Sequence, residues 1–160
     1  MAILTAQYRF RQRFRVPAAQ AFRWCVDFGP ADLALEGTRG RRRVRRIADD
    51  LVILSDTFLR PAGPPLVKTK LVRIRTSQMS WTSTHLTGPN RFSQFWYRIV
   101  PDGPRASHLD FTGLHVERSV SGVGAAAETK LARRLAKADS LGWKKYATAM
   151  EAELVPSQRK

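Results

Sequence analysis

The sequence predicts an α+β fold in two layers, an antiparallel sheet of seven strands covered by one long C-terminal helix, with two short helices between strands 1 and 2. Three observations carry this. Placed at about 100° per residue, Leu131, Leu135, Ala138, Gly142, Trp143, Tyr146, Ala149, Met150 and Leu154 share one broad arc, and Lys130, Arg133, Arg134, Lys137, Lys144 and Lys145 lie opposite. Residues 7–16 alternate, with Tyr8, Phe10, Phe14 and Val16 on one face and Arg9, Arg11, Arg13 and Arg15 on the other. Between 40 and 116, short strand-like runs are separated by tight-turn signals, the pattern of an antiparallel meander.

The first strand is followed by Pro17, whose missing N–H does no harm where a helix opens. Ala18, Ala21, Phe22 and Cys25 give that helix an apolar face to about Val26. Asp27-Phe28-Gly29-Pro30 breaks it, and 31–35 can make a second short helical turn. Strand 2 begins at Gly40; Val44 and Ile47 differ in parity, which predicts a bulge. Residues 51–59 are apolar on both faces and read as an inner strand. After the irregular Arg60-Pro61-Ala62-Gly63-Pro64-Pro65, strands follow at 66–75, 78–86, 91–100 and 106–116. Within 91–100, Phe95, Tyr97 and Ile99 are expected to point inward beside Leu109 and Phe111.

The helix over 124–155 is the lid of this sheet, and Pro156 stops it. Two residues of its stripe stand out. Asp139 is either a carboxylate satisfied by a Thr, Tyr or Arg of the facing sheet or a group that orients a ligand. Gly142 costs about 1 kcal/mol against Ala in mid-helix, so a close approach of backbone or ligand is expected there. Residues 157–160 are expected to fray.

At 160 residues and 43% hydrophobic, residues 1–160 read as one domain with a real core. No apolar run reaches the roughly 18 residues of a membrane span, and the N-terminus shows no secretory pattern. A single cysteine, Cys25, fits a reducing compartment and reads as a small buried hydrophobe; the expected location is cytoplasmic. The net charge of +15 predicts attraction to polyanions or anionic membranes. The arginine rows of strands 1 and 2 serve either to discourage edge-to-edge pairing or as a non-specific basic patch. The strand 1 arginines alternate with buried apolar residues and not with exposed aromatics, which weighs against base recognition.

The chain resembles the START-like superfamily, also called SRPBCC, which includes polyketide cyclase/dehydrase-like proteins and has the helix-grip fold of the birch-pollen allergens. The residues that carry the resemblance are Phe14-Arg15-Val16-Pro17-Ala18 leading into Ala21-Phe22-Arg23-Trp24, then Asp27-Phe28-Gly29-Pro30-Ala31-Asp32. Further on come Phe95-Trp96-Tyr97-Arg98-Ile99-Val100-Pro101-Asp102-Gly103, and Asp139 with Trp143 and Tyr146. It implies a strongly curved seven-stranded sheet gripping the C-terminal helix, with strands 1 and 2 at opposite edges and a cavity between sheet and helix. Members bind lipids, sterols or polyketides there, and some catalyse cyclisation or hydrolysis.

The expected function is therefore binding of a small hydrophobic or amphipathic ligand in that cavity, more in keeping with a binding protein than an enzyme. Trp81, Phe95, Tyr97, Leu109, Phe111, Asp139, Gly142, Trp143, Tyr146 and Met150 are the expected ligand-binding residues, although the aromatics, with Phe92 and Trp96, could equally form an ordinary core. The alternatives are a cyclase/dehydrase-like enzyme using Asp139, Tyr97 or His85 for acid–base work, and a basic module for nucleic acid or anionic membranes. No Gly-rich phosphate loop or nucleophile elbow is present, and no cofactor is expected. His85, His108 and His115 lack the spacing of a metal site, and His108 with Asp110 reads as a solvent-exposed pair.

Overall fold

Alternation in the sequence becomes a continuous sheet in the computed structural model, which describes residues 2–37, 39–119 and 122–156. The described elements run β1 (Ala2–Phe14), α1 (Ala18–Cys25), α2 (Asp32–Leu35), β2 (Gly40–Ala48), β3 (Leu51–Phe58), β4 (Leu66–Arg75), a 3₁₀ turn (Thr76–Gln78), β5 (Ser80–His85), β6 (Gln94–Pro101), β7 (Ser107–Ser119) and α3 (Ala125–Leu154). The seven strands order as β1-β7-β6-β5-β4-β3-β2, so β1 and β2 are the two edges. Every neighbouring pair is antiparallel. Residues 157–160, expected to fray, lie outside the described residues.

Every strand except β2 sends alternate residues to the layer shared with α3. In β6, Phe95 and Ile99 are buried while Trp96 is exposed, which settles the parity as Phe95, Tyr97 and Ile99 inward. Val52 and Leu54 of β3, Val72 and Ile74 of β4, Trp81 of β5, and Leu109 and Phe111 of β7 face the same way. α3 spans 30 residues, roughly 45 Å, and packs Leu131, Ala147 and Met150 into that layer. α1 adds Ala18, Ala21 and Phe22 at one end. The bulge predicted in β2 appears as a register shift between Arg46 and Ala48.

Four readings are corrected. β1 starts at Ala2 rather than 7, because Leu4 and Ala6 pack against Leu131 and extend the pairing with β7. Ala138 is exposed and Ala147 is buried instead, since the helix presents a side rotated towards Ala147. β3 is not wholly apolar: Asp56 is completely buried. His108 is also buried, because the β6–β7 turn brings Asp102 Oδ2 within 2.7 Å of its Nδ1, while Asp110 bonds Arg11 at 2.9 Å.

Candidate ligand-binding cavity

A small residue on each layer shapes the space between sheet and helix. Gly113 of β7 sits opposite Tyr8 of β1, and a Cβ at position 113 would lie 2.8 Å from the Tyr8 ring. The missing side chain lets that ring lie across β7, where the Tyr8 hydroxyl donates to Asp139 of α3. One turn further along α3, a Cβ at Gly142 would meet nothing within 4 Å. The resulting cavity has a volume of about 520 Å³. Its apolar wall is Phe95, Tyr97, Phe111, Leu135 and Trp143, and exposed Ala138, Leu141 and Lys145 mark where it opens. A narrower extension of about 140 Å³ runs towards Trp24, Phe28, Val72 and Trp81.

The aromatic wall is held by ring packing. Tyr97 stacks on Trp81 at 4.8 Å between centroids and meets Phe111 edge-on at 5.2 Å. Trp143 closes the layer 5.9 Å from Tyr97 and 5.1 Å from Tyr146. Each such pair contributes roughly 0.5–1.5 kcal/mol beyond its buried area, so the wall is pre-formed.

The polar lining falls into three groups. Tyr8 bonds Asp139; burial raises the Asp139 pKa above the usual carboxylate range, against the pull of the Tyr8 hydroxyl. Tyr146 Oη donates to Glu36 Oε1 at 2.7 Å. Lys68 and Lys70 continue the inward row of β4 beyond Ile74 and Val72. Lys70 Nζ lies 3.2 Å from Asp56 Oδ2, whereas Lys68 forms no ion pair among the described residues. Burial lowers the Lys68 pKa, with Lys70 nearby adding to the effect.

His85 and Asn90 each bring an unpaired buried atom to the lining. His85 is 7% exposed, lines the cavity, and its Nδ1 has no hydrogen-bond partner. Burial and then the charge of Lys70 lower its pKa to about 4. Unfolded His titrates near 6.5, so between about pH 6.5 and 4 the unfolded chain takes up a proton that folded His85 refuses. Stability should fall as pH drops through that window, by on the order of 1 kcal/mol per pH unit from this residue. From pH 7.5 through 6 to 5, the denaturant midpoint of wild type should fall more steeply than that of His85→Gln. Parallel curves for the two proteins would show that His85 titrates normally.

All three acid–base candidates, Asp139, Tyr97 and His85, line this cavity, as do Phe95, Phe111, Gly142, Trp143 and Tyr146. Trp81 lines the extension. Leu109 and Met150 are fully buried in the closed core and line neither space. Sequence reasoning missed Tyr8, Glu36, Lys68, Lys70 and His115, which also line the larger space. The available signal was the parity of β4, where Lys68 and Lys70 share the face of Val72 and Ile74 and precede them. Cys25 is partly buried, and burial pushes its thiol pKa up, the opposite of a nucleophile's environment. Among the described residues no group of three or more His, Cys, Asp or Glu side chains could hold a metal ion. No helix among them is long and apolar enough to cross a membrane.

No family profile matches the chain, and no curated protein matches it in sequence. Solved structures do. An aromatase/cyclase, ZhuI of Streptomyces sp. R1128, matches with a TM-score of 0.69 at 11% identity, over 94% of this chain and 93% of that one. Norcoclaurine synthase from Thalictrum flavum, solved with dopamine and hydroxybenzaldehyde, matches with a TM-score of 0.67 at 12% identity, over 99% and 91%. Ara h 8.0201 matches with a TM-score of 0.61 at 9% identity, over 91% and 99%. At these identities the likeness is one of fold alone, a seven-stranded antiparallel sheet gripping a long C-terminal helix.

Proposed function

We propose that this helix-grip chain binds a small amphipathic molecule with an aromatic or apolar body and an anionic end, in the cavity between the sheet and α3. The observation that carries the reading is the pairing of an aromatic wall with Lys68, an inward cation that has no ion-pair partner among the described residues. A few placed polar groups in a mostly apolar pocket are what orient a ligand. The volume of about 520 Å³ suits a molecule of drug or metabolite size. The likeness to norcoclaurine synthase, which was solved holding two small aromatic molecules, supports the aromatic body of the ligand, and its anionic end rests on Lys68.

Two probes that share a skeleton and differ in charge test it. 1-Anilinonaphthalene-8-sulfonate should bind more tightly than neutral N-phenyl-1-naphthylamine. Lys68→Gln should weaken the sulfonate about tenfold, the scale of one charge-assisted hydrogen bond, and leave the neutral amine unchanged. Equal weakening of both probes, or binding of neither, would contradict the assignment.

A second reading, acid–base catalysis of the cyclase/dehydrase kind, is favoured by one further observation. Asp139 with a raised pKa, bonded by Tyr8, faces the same space as His85, whose pKa of about 4 keeps it neutral near pH 7. A carboxyl and an imidazole shifted by their surroundings are the groups that move protons in enzymes.

A further inference from the structure

The opposite face of the sheet carries a second site. β1, β7, β6, β5 and β4 are adjacent, and their outward residues fall into rows across the strands. One row, read directly from the pairing, is Arg9, Thr112, Trp96, Thr82 and Arg73. The next is Arg11, Asp110, Arg98, Ser80 and Arg75. All five arginines are exposed, and Trp96 is 40% exposed at the centre. Most of these residues line a single depression of about 740 Å³. Asp110 is the only acid in the two rows and is taken by Arg11 at 2.9 Å. Arg9, Arg73, Arg75 and Arg98 have no ion pair among the described residues, and Trp96 has no ring partner there.

We propose that this outer face of β1, β7, β6, β5 and β4 is a docking surface for single-stranded RNA, with a base stacked on Trp96 and phosphates held by the surrounding arginines. Charge complementarity selects a polyanion: four unpaired guanidiniums on one face of a chain of net charge +15 need anions spaced along a strand. The lone aromatic selects unpaired bases, because stacking platforms of this kind take bases that are free of a duplex. A sheet face also offers no helix to enter a major groove. A bilayer is the poorer fit, since membrane contact calls for contiguous apolar area and these rows hold one aromatic side chain. Thr112 and Thr82 flank Trp96 and place hydroxyl groups where a ribose 2′-OH can be bonded, which favours RNA over DNA. Register creates the site. The basic residues of β1 have no exposed aromatic among them in sequence, and Trp96 reaches them through β7.

Fluorescence anisotropy of a fluorescein-labelled twelve-residue oligo(U) tests this on the full chain. Log affinity should fall linearly with log salt with a slope of roughly −3, four phosphates at about −0.7 each. Trp96→Ala should weaken binding about tenfold or more with the slope kept, and Trp96→Phe should recover most of the loss. The Arg9→Gln/Arg98→Gln pair should flatten the slope by about 1.4. An Arg133→Gln/Lys137→Gln pair, exposed on α3 across the molecule, should change nothing comparable. Thermal midpoints within a few degrees of wild type will show that the variants fold. Equal binding by wild type and Trp96→Ala would reduce the surface to diffuse charge and overturn the proposal. So would equal affinity for oligo(dT) of the same length or for duplex RNA, or Trp96-dependent binding to phosphatidylserine vesicles without RNA binding.

Discussion

Replacing Asp56 by Ala should destabilise the protein by about 3–5 kcal/mol, the loss expected when one partner of a buried ion pair is removed. Asp56 is 0% exposed and holds Arg42 through two bonds, Nε to Oδ1 at 2.7 Å and Nη2 to Oδ2 at 3.0 Å. Arg42, whose side chain is 5% exposed, also bonds Asp32 Oδ2 at 3.0 Å, which ties β2 and β3 to α2. Burial alone would raise the Asp56 pKa, but the bonds from Arg42 and Lys70 overcome it and hold the carboxyl below its usual range. Without Asp56, a guanidinium and the Lys70 ammonium are left in a low-dielectric layer with one remaining carboxylate between them. Urea unfolding at pH 7 measures the effect. Arg42→Met/Asp56→Leu should lose less than the sum of its single variants, because each single change strands a charge and the pair removes both. A loss under about 1 kcal/mol for Asp56→Ala would mean that water reaches the network and screens it.

The strands of the meander and the closing helix were legible because each rests on a local period, whereas the edge positions of β1 and β2 came from the family resemblance. β6 illustrates this: of its two interleaved sets, both mixed in character, Phe95, Tyr97 and Ile99 were read as inward beside Leu109 and Phe111, and Phe95 and Ile99 are buried. The buried network was not legible. Arg42 lies within a run of arginines, GRRRVRRI, and nothing local distinguishes the one that turns inward. What distinguishes it is its cross-strand partner, Asp56, fourteen residues away. Tyr8 was read as core, and its hydroxyl became part of the cavity only because Gly113 lies opposite it and Asp139 above it. His108 was misread for the same reason, since its burial depends on how the turn at Asp102 folds back. Non-local pairing decided each of these positions, and single-residue periodicity contains no information about it.

The space beside Gly142 is the place where the proposed ligand enters. Gly142→Leu tests this most directly, with thermal midpoint and 1-anilinonaphthalene-8-sulfonate affinity measured on both proteins. In a packed core, forcing four heavy atoms between helix and sheet costs typically about 1–3 kcal/mol. Here a Cβ at this position meets nothing within 4 Å, and the side chain would enter a cavity of about 520 Å³. Leucine is also the better helix former, by somewhat less than about 1 kcal/mol, and the added apolar surface gains contacts. The midpoint should therefore hold or rise by about 2–4 °C, while probe affinity drops at least about tenfold because the site is filled. A fall of many degrees in the midpoint, with no probe bound by the wild type, would mean a solid core at Gly142 and would contradict the ligand-binding account.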